Sequence, residues 1–460
     1  MPHDPVPALI SRATELLEAE FAALPAFETN PSPSFEPEAM AHVLEAAAHR
    51  LGDNYPYFHP LYAGQMLKPP HPVARAAYAL AMSINPNNHA LDGGRASSEM
   101  EIEAVHEIAG MFGWTEYLGH LTSSGTMANL EALWVSGLLA PGKRIVGSEQ
   151  AHYTHQRISA VLKVDYSGIL VDGHGRMSME ALEVELRKGD VGTVVATLGT
   201  TAIGAVDPLD QILALRARYG FRVHVDGAYG GYFCLIPESL DEPARLAYAS
   251  IDQADSIVVD PHKHGLQPYG CGCVLFRDPA VGRFYKHDSP YTYFTSKRLH
   301  LGEISLECSR AGAAAVALWT TQKLLPLVPG GEFARGLAKG LAAALELDRR
   351  LRLDKAGRFE PLTAGAPELD IVVWKLKAGT LERASQLAQE AFEACATRDL
   401  HLALVQLPHS WFAPDGHVVN GVEATLVTCL RSVLMKPEHE AWLDRIWERL
   451  SAACADAVEK

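Results

Sequence analysis

The sequence contains no apolar run long enough to span a bilayer, and its first residues lack the basic segment and apolar core of a secretory leader. It has no block rich in Lys or Arg. With 40 basic against 55 acidic residues the formal charge is −15, which argues against nucleic acid or an anionic membrane surface as the main partner. Cysteine is sparse, seven in 460 residues, and the one close pair, Cys271 and Cys273, has no second pair at ligand spacing. Free thiols in a reducing compartment are therefore expected, with the cytoplasm as the location. The 20 histidines form no His-Glu-x-x-His helix or similar cluster, so no metal is expected. Internal repeats and low-complexity tracts are absent as well.

What is present is ordinary globular material, 48% hydrophobic and 21% charged, in a chain long enough for one large and one or two smaller domains. Residues 8–23 read as a helix, followed by a Pro-rich connector over 25–37 and a second helix over 37–51. From about Ile102, amphipathic helices alternate with short apolar strands, the signature of a mostly parallel sheet covered on both faces. Strands are expected over 144–147, 191–197, 222–225, 256–259 and 271–276, and helices over 126–137, 152–162, 178–187 and 209–219. Gly330-Gly331 marks a domain change. A helix over 332–353, strands over 368–376, 400–406 and 423–429, and a last helix over 437–455 then form a small α+β unit. The expected division is an N-terminal helical arm over 1–80, a large α/β domain over 81–330 and a small domain over 331–460.

Four segments carry chemistry. Ser256-Ile257-Val258-Val259-Asp260-Pro261-His262-Lys263-His264 is an apolar run ending in a lysine between two histidines. Alone, Lys263 reads as a solvated surface amine; placed at a site, it reads as an amine that attacks a carbonyl. Thr122-Ser123-Ser124-Gly125-Thr126 opens directly into an apolar helix, which suits either a plain N-cap or a phosphate cradle. His152 follows a strand and stands at a helix start, where an imidazole can stack on a flat ring or pack as a cap. Asp226, in His224-Val225-Asp226-Gly227-Ala228, ends a buried strand and needs a cation or donor; a heteroaromatic N–H⁺ would satisfy it. Phosphate anchor, ring clamp, pyridinium partner and imine-forming amine are together what pyridoxal 5′-phosphate (PLP) requires.

From about Tyr57 to Leu325 the chain resembles the group II PLP-dependent amino acid decarboxylases of fold type I, most closely the archaeal-type tyrosine/aspartate decarboxylases. The matching stretches are TSSGTMANLEAL, SEQAH, ATLGTTAIGAVDPL, HVDGAYGGYF, VVDPHKHGLQPYGCGCVLFRD and PYTYFTSKRLHLGEISLECSRAGAAAVALW. The resemblance implies a PLP-dependent transferase-like α/β fold, with a mostly parallel seven-stranded sheet under helices, a small α+β C-terminal domain and an N-terminal helical arm. It also implies that Lys263 holds the cofactor, that Asp226 pairs with the pyridine nitrogen, and that His152 and Ala228 pack on opposite ring faces. Ser124, Gly125, Thr126 and His262 would hold the phosphate, Thr201 would lie near the ring hydroxyl and Asp226, and Asp260 would shape the lysine turn. Ser124 stands where relatives often have glycine, and Met127 where they often have glutamate; neither change removes a backbone donor.

The implied reaction converts an amino acid, aromatic or acidic, to its amine and CO₂. Tyr291 and Tyr293 are candidates to reprotonate Cα, against an equally open reading as interface packing. Tyr57 and His59 match a pocket-lining region, and Arg310 is placed either on a carboxylate or phosphate oxygen or on a helix end. An aromatic lean follows from Tyr57, Phe58, Tyr291, Tyr293 and Phe294. The resemblance further implies a homodimer with active sites at the interface, residues 8–51 being the candidate swapping element. A carbon–carbon lyase, an aminotransferase and an aromatic aldehyde synthase share the same anchors, and a non-catalytic PLP-binding protein is the remaining alternative.

Overall fold

The computed structural model describes residues 5–28, 36–286, 301–363, 365–412 and 425–459. Its large sheet is built from β1 (Leu118–Thr122), β2 (Arg144–Ser148), β3 (Tyr166–Ile169), β4 (Val191–Thr197), β5 (Arg222–Asp226), β6 (Ser256–Val259) and β7 (Gly272–Phe276). The strand order is β1-β7-β6-β5-β4-β2-β3. Pairing is parallel from β3 through β6, and β7 runs antiparallel between β6 and β1. Every residue of β4, β6 and β7 is buried, as expected of unbroken apolar strands with helices on both faces.

A second sheet, wholly antiparallel, contains β8 (Phe359–Pro361), β9 (Ile371–Leu376), β10 (Ala403–Pro408) and β11 (Leu426–Val433) in the order β10-β11-β9-β8. Its two faces serve two cores. Ile371, Val373, Val427 and Cys429 join the core beneath the large sheet, together with Val194, Val223 and Ile257. Trp374 and Leu430 instead pack with Leu387, Ile446 and Leu450 from the helices Leu381–Ala396 and Glu438–Glu459. The alternation of inward and outward side chains along β9 thus glues the two sheets into one structure.

Several expected boundaries shift, by up to four residues in the C-terminal strands Ala403–Pro408 and Leu426–Val433. The first helix spans Val6–Glu20, and the helix expected from His152 begins at Thr154, which leaves His152 on the loop after β2. Strands β1 and β3 were not anticipated, nor was the helix Leu91–Met111. Residues 61–63, within the expected arm, bond to the C-terminal part: Ala63 N–H donates to His401 O at 2.9 Å, and Val433 N–H to Ala63 O at 2.8 Å.

Candidate active site

Beyond the carboxyl ends of β4, β5 and β6 lies a cavity of about 190 Å³, the position where open α/β sheets bind their ligands. All ten expected cofactor contacts line it: Ser124, Gly125, Thr126, His152, Thr201, Asp226, Ala228, Asp260, His262 and Lys263. Asn129, Thr154, Thr197, Gly199 and Tyr229 line it too, and were not singled out from sequence. Each expected residue stands where one secondary element ends and the next begins, which is why segments so distant in sequence meet here.

The helix Gly125–Leu139 starts at the cavity wall, with Ser124 as its N-cap; the Ser124 hydroxyl accepts the Met127 N–H at 3.3 Å. Gly125 has no room for a side chain, because a Cβ there would sit 2.6 Å from both carboxylate oxygens of Asp260. On β6, the turn carrying the lysine is closed by Lys263 N–H donating to Asp260 O at 2.9 Å. Lys263 Nζ lies 3.0 Å from Asp260 Oδ2, and His262 Nε2 lies 3.5 Å from the same oxygen. His262 is fixed from behind by Nδ1 at 2.7 Å from Cys271 O, just before the antiparallel strand β7. Leu266 adopts φ +64, a left-handed conformation uncommon for leucine, three residues past the lysine. The other histidine of the motif, His264, turns away from Lys263 to pack on Tyr229 and Phe233.

Asp226 is 4% exposed, and its partner was invisible in the sequence: His155 Nε2 lies 2.8 Å from Oδ2, with the His155 side chain fully buried. Ala228 N–H donates to Oδ1 at 3.1 Å. Burial pushes the Asp226 carboxyl up, but the hydrogen bond and charge of His155, with the charge of Lys263, outweigh it and hold the group well below the usual carboxylate range. Asp226 is therefore an anion at neutral pH. Burial lowers His152, against the opposing pull of Asp226, and lowers His262 likewise. Beside this pair, His224 is pushed down to about 3 by burial and bonds to Asn129 Oδ1 at 2.8 Å and Ser256 Oγ at 2.9 Å. His152 is oriented by Nδ1 at 2.8 Å from the Thr154 hydroxyl.

The expected substrate contacts fall elsewhere. Tyr57 packs edge-on against Tyr62 at 4.9 Å, in a cluster with Tyr55, and does not line the cavity. His59 stands against Trp442 at 4.9 Å and accepts the Leu61 N–H. Arg310 is buried against Glu101, Nη1 to Oε1 at 2.5 Å, so the carboxylate it meets is the chain's own. Tyr291 and Tyr293 lie outside the described residues.

The cavity suits PLP. It offers a carboxylate fixed as an anion for the ring nitrogen, a primary amine, an imidazole, a small residue in Ala228, and a hydroxyl-rich helix start for the phosphate. Two of its lining residues, Asp260 (Oδ1) and Thr197 (Oγ1), hold buried oxygens without a hydrogen-bond partner among the described residues. Oxygens of this kind are satisfied by a bound polar group. No group of three or more metal-ligating side chains occurs among the described residues.

The sequence profile of the pyridoxal-dependent decarboxylase conserved domain matches residues 54–377. An L-tyrosine decarboxylase of Enterococcus faecium is 26% identical over 446 residues, covering 74% of this chain and 72% of the relative. A probable L-tyrosine/L-aspartate decarboxylase of Methanothermobacter thermautotrophicus is 28% identical over 331 residues, covering 71% and 86%. Among solved structures, Oryza sativa TDC with PLP and tryptamine superposes with a TM-score of 0.77 at 18% identity, covering 99% of each chain. Mouse CSAD in apo form gives 0.75 at 21% identity, covering 95% and 92%. At these identities the structural matches establish the fold, fold type I. The profile covers more than half of the chain, and with it the PLP-holding geometry has a name: the chain belongs to the pyridoxal-dependent decarboxylase family and is a PLP-dependent amino acid decarboxylase.

Proposed function

We propose that the substrate is an aromatic L-amino acid of the tyrosine type, converted to its amine and CO₂, and that the ten expected residues among those lining the cavity act as the sequence assigns them. The observation that carries the reading is the meeting of Lys263, Asp226, His152 and the Ser124-to-Thr126 cradle in one cavity. When bound, PLP supplies an electron sink for the electron pair released as CO₂ departs. Lys263 would provide the primary amine that holds the cofactor. Asp226, kept ionised by His155, keeps a proton on the ring nitrogen. His152 and Ala228 confine the ring between them, while Ser124, Gly125, Thr126 and His262 retain the phosphate. Asp260 orients the Lys263 ammonium from 3.0 Å. The proton returned to Cα is assigned, on sequence alone, to Tyr291 or Tyr293.

Two observations support the aromatic class. The relatives named above are tyrosine or tyrosine/aspartate decarboxylases. Among the described residues, the only cationic or imidazole side chains lining the cavity are Lys263, His152 and His262, all given cofactor roles, and Arg310 is engaged by Glu101. A side-chain carboxylate of the substrate would have no dedicated partner there. A panel of tyrosine, phenylalanine, tryptophan, aspartate and glutamate, assayed for amine and CO₂, tests this. Tyrosine is expected to lead, and turnover confined to aspartate or glutamate would reverse the assignment. Oxygen uptake with ammonia release would instead mark an aldehyde synthase, and keto acid without CO₂ a transaminase.

The protein is further proposed to be a homodimer with shared active sites, in the cytoplasm. The helix Pro37–Leu51 has no buried residue, and Met40, Val43, Leu44 and Leu51 are all exposed, as a face awaiting a second copy would be. All seven cysteines are free, and no helix of the described residues is long and apolar enough to cross a membrane.

A further inference from the structure

On the far side of the Lys263 turn lies a second cavity, of about 340 Å³, which shares no lining residue with the first. Its walls are of two kinds. Pro69, Leu266, Leu325, Phe333 and Leu337 make an apolar side. The other side carries Lys68, Lys339 and Lys436, and the first residues of three helices, Pro72–Met82, Glu332–Arg352 and Glu438–Glu459, whose N-terminal ends bear partial positive charge.

The lysines are poorly compensated. Lys436 is 3% exposed, and its Nζ donates to the Tyr62 carbonyl at 2.6 Å; Lys68 Nζ reaches the Met435 carbonyl at 3.4 Å. Neither is ion-paired to a carboxylate among the described residues. Of the carboxylates facing them, Asp370 is bonded by the Tyr229 hydroxyl at 2.5 Å, and Glu438 acts only at longer range. Glu332 on the same wall is engaged by Arg335. The remaining titratable neighbours are His59, His71, His264, His439 and Tyr62, the last raised by burial, and they add no negative charge. His264, 1% exposed, lines the cavity with neither ring nitrogen in a hydrogen bond among the described residues, its Nε2 standing 3.4 Å from Asp370 Oδ2. Burial, and for Lys436 the nearby charge of Lys68, lowers the two amines to about 7 and about 8 respectively. Like charges held in a low-dielectric pocket without a counter-ion are costly, and an anion placed among them relieves that cost.

We propose that this cavity binds a small organic carboxylate with an apolar body, its charge held by Lys68, Lys436 and Lys339 and its body by the apolar wall. The site is independent of the substrate assigned above and needs no feature of the first cavity. It adjoins the catalytic lysine through His264, the next residue in the chain, so its occupant is one peptide unit from the turn that aims Lys263.

Titration calorimetry of the holoenzyme at pH 8 with benzoate, in two buffers of different ionisation enthalpy, tests the assignment. Benzoate is expected to bind with net proton uptake, because an anion beside Lys436 and Lys68 raises both amines back towards their ordinary value. Lys68→Met and Lys436→Met should each weaken binding roughly tenfold or more and reduce the uptake, with the visible cofactor absorbance unchanged. Lys339 is exposed, so Lys339→Gln gives a variant with little risk to folding, expected to weaken binding several-fold. Benzamide, the neutral analogue, should not bind. Absence of benzoate binding, benzamide binding as tightly, or binding undiminished in all three variants would each overturn the proposal.

Discussion

At the scale of single residues, the site is a set of strand ends whose charges are settled by neighbours. Lys263→Ala is expected to abolish amine production and the borohydride-sensitive visible absorbance of the reconstituted enzyme; a variant retaining that absorbance would remove Lys263 from its role. His155 tests the less obvious half. Replacing it with Phe leaves burial as the main influence on Asp226, so the carboxyl rises from its depressed value. The sign follows directly: Asp226 now takes up a proton at higher pH, and the acid limb of cofactor binding shifts upward. Cofactor affinity should fall roughly tenfold at neutral pH, read from absorbance titration, with partial rescue by His155→Gln, which can still donate. Lys263, Asp226 and His152 were legible because each interrupts a strand–loop pattern with a chemically unusual residue. His155 was not, since it opens a helix in a string where nothing distinguishes it from His152; only the contact of its Nε2 with Asp226 at the end of β5 tells them apart.

Between elements, the C-terminal sheet grips the active-site loops. From β11, Arg431 donates through Nη2 to Thr201 O at 2.7 Å and through Nε to Ala202 O at 3.0 Å, and reaches Gln65 Oε1 at 3.2 Å. One guanidinium thereby ties the loop carrying Thr201 to the second sheet. Arg431→Met, leaving buried carbonyls unpartnered, should lower stability by about 2–3 kcal/mol in urea unfolding and weaken PLP binding; an unchanged unfolding midpoint would show the tie to be incidental. At the same scale, Ser124→Ala removes an N-cap and should cost about 1 kcal/mol. The strands β4 and β6 were readable to the residue, being fully buried apolar runs. Strands β1 and β3 escaped because five and four residues, partly exposed, carry no period. The helix Leu91–Met111 was hidden by Gly93 and Gly94, the latter breaking helical geometry at φ −163 and ψ 61.

For the molecule as a whole, two expectations follow from faces and charges. If Pro37–Leu51 is a dimer contact, Val43→Glu with Leu44→Glu should convert a dimer to a monomer in sedimentation, and a wild-type monomer would discard the arrangement. The buried Lys436 also sets a pH response. Its folded value near 7 lies below the ordinary 10.5, so between those limits the unfolded chain holds a proton that the folded chain lacks, and stability rises with pH. Without added carboxylate, the urea midpoint should climb from pH 7 towards pH 10, and Lys436→Met should flatten that climb; an identical slope in the variant would mean that Lys436 is not the group responsible. The sequence by itself determined the α/β class and the cofactor, and it named ten residues that the fold brings to one cavity, because strand ends in a parallel sheet converge and each of these residues lies near one. Tertiary structure alone decided that Tyr57, His59 and Arg310 face other partners, that His155 holds Asp226, and that three lysines share a second cavity. Most of those facts depend on contacts between residues far apart in the chain, 71 positions for His155 and Asp226 and 209 for Arg310 and Glu101, and neither local period nor motif encodes such distances.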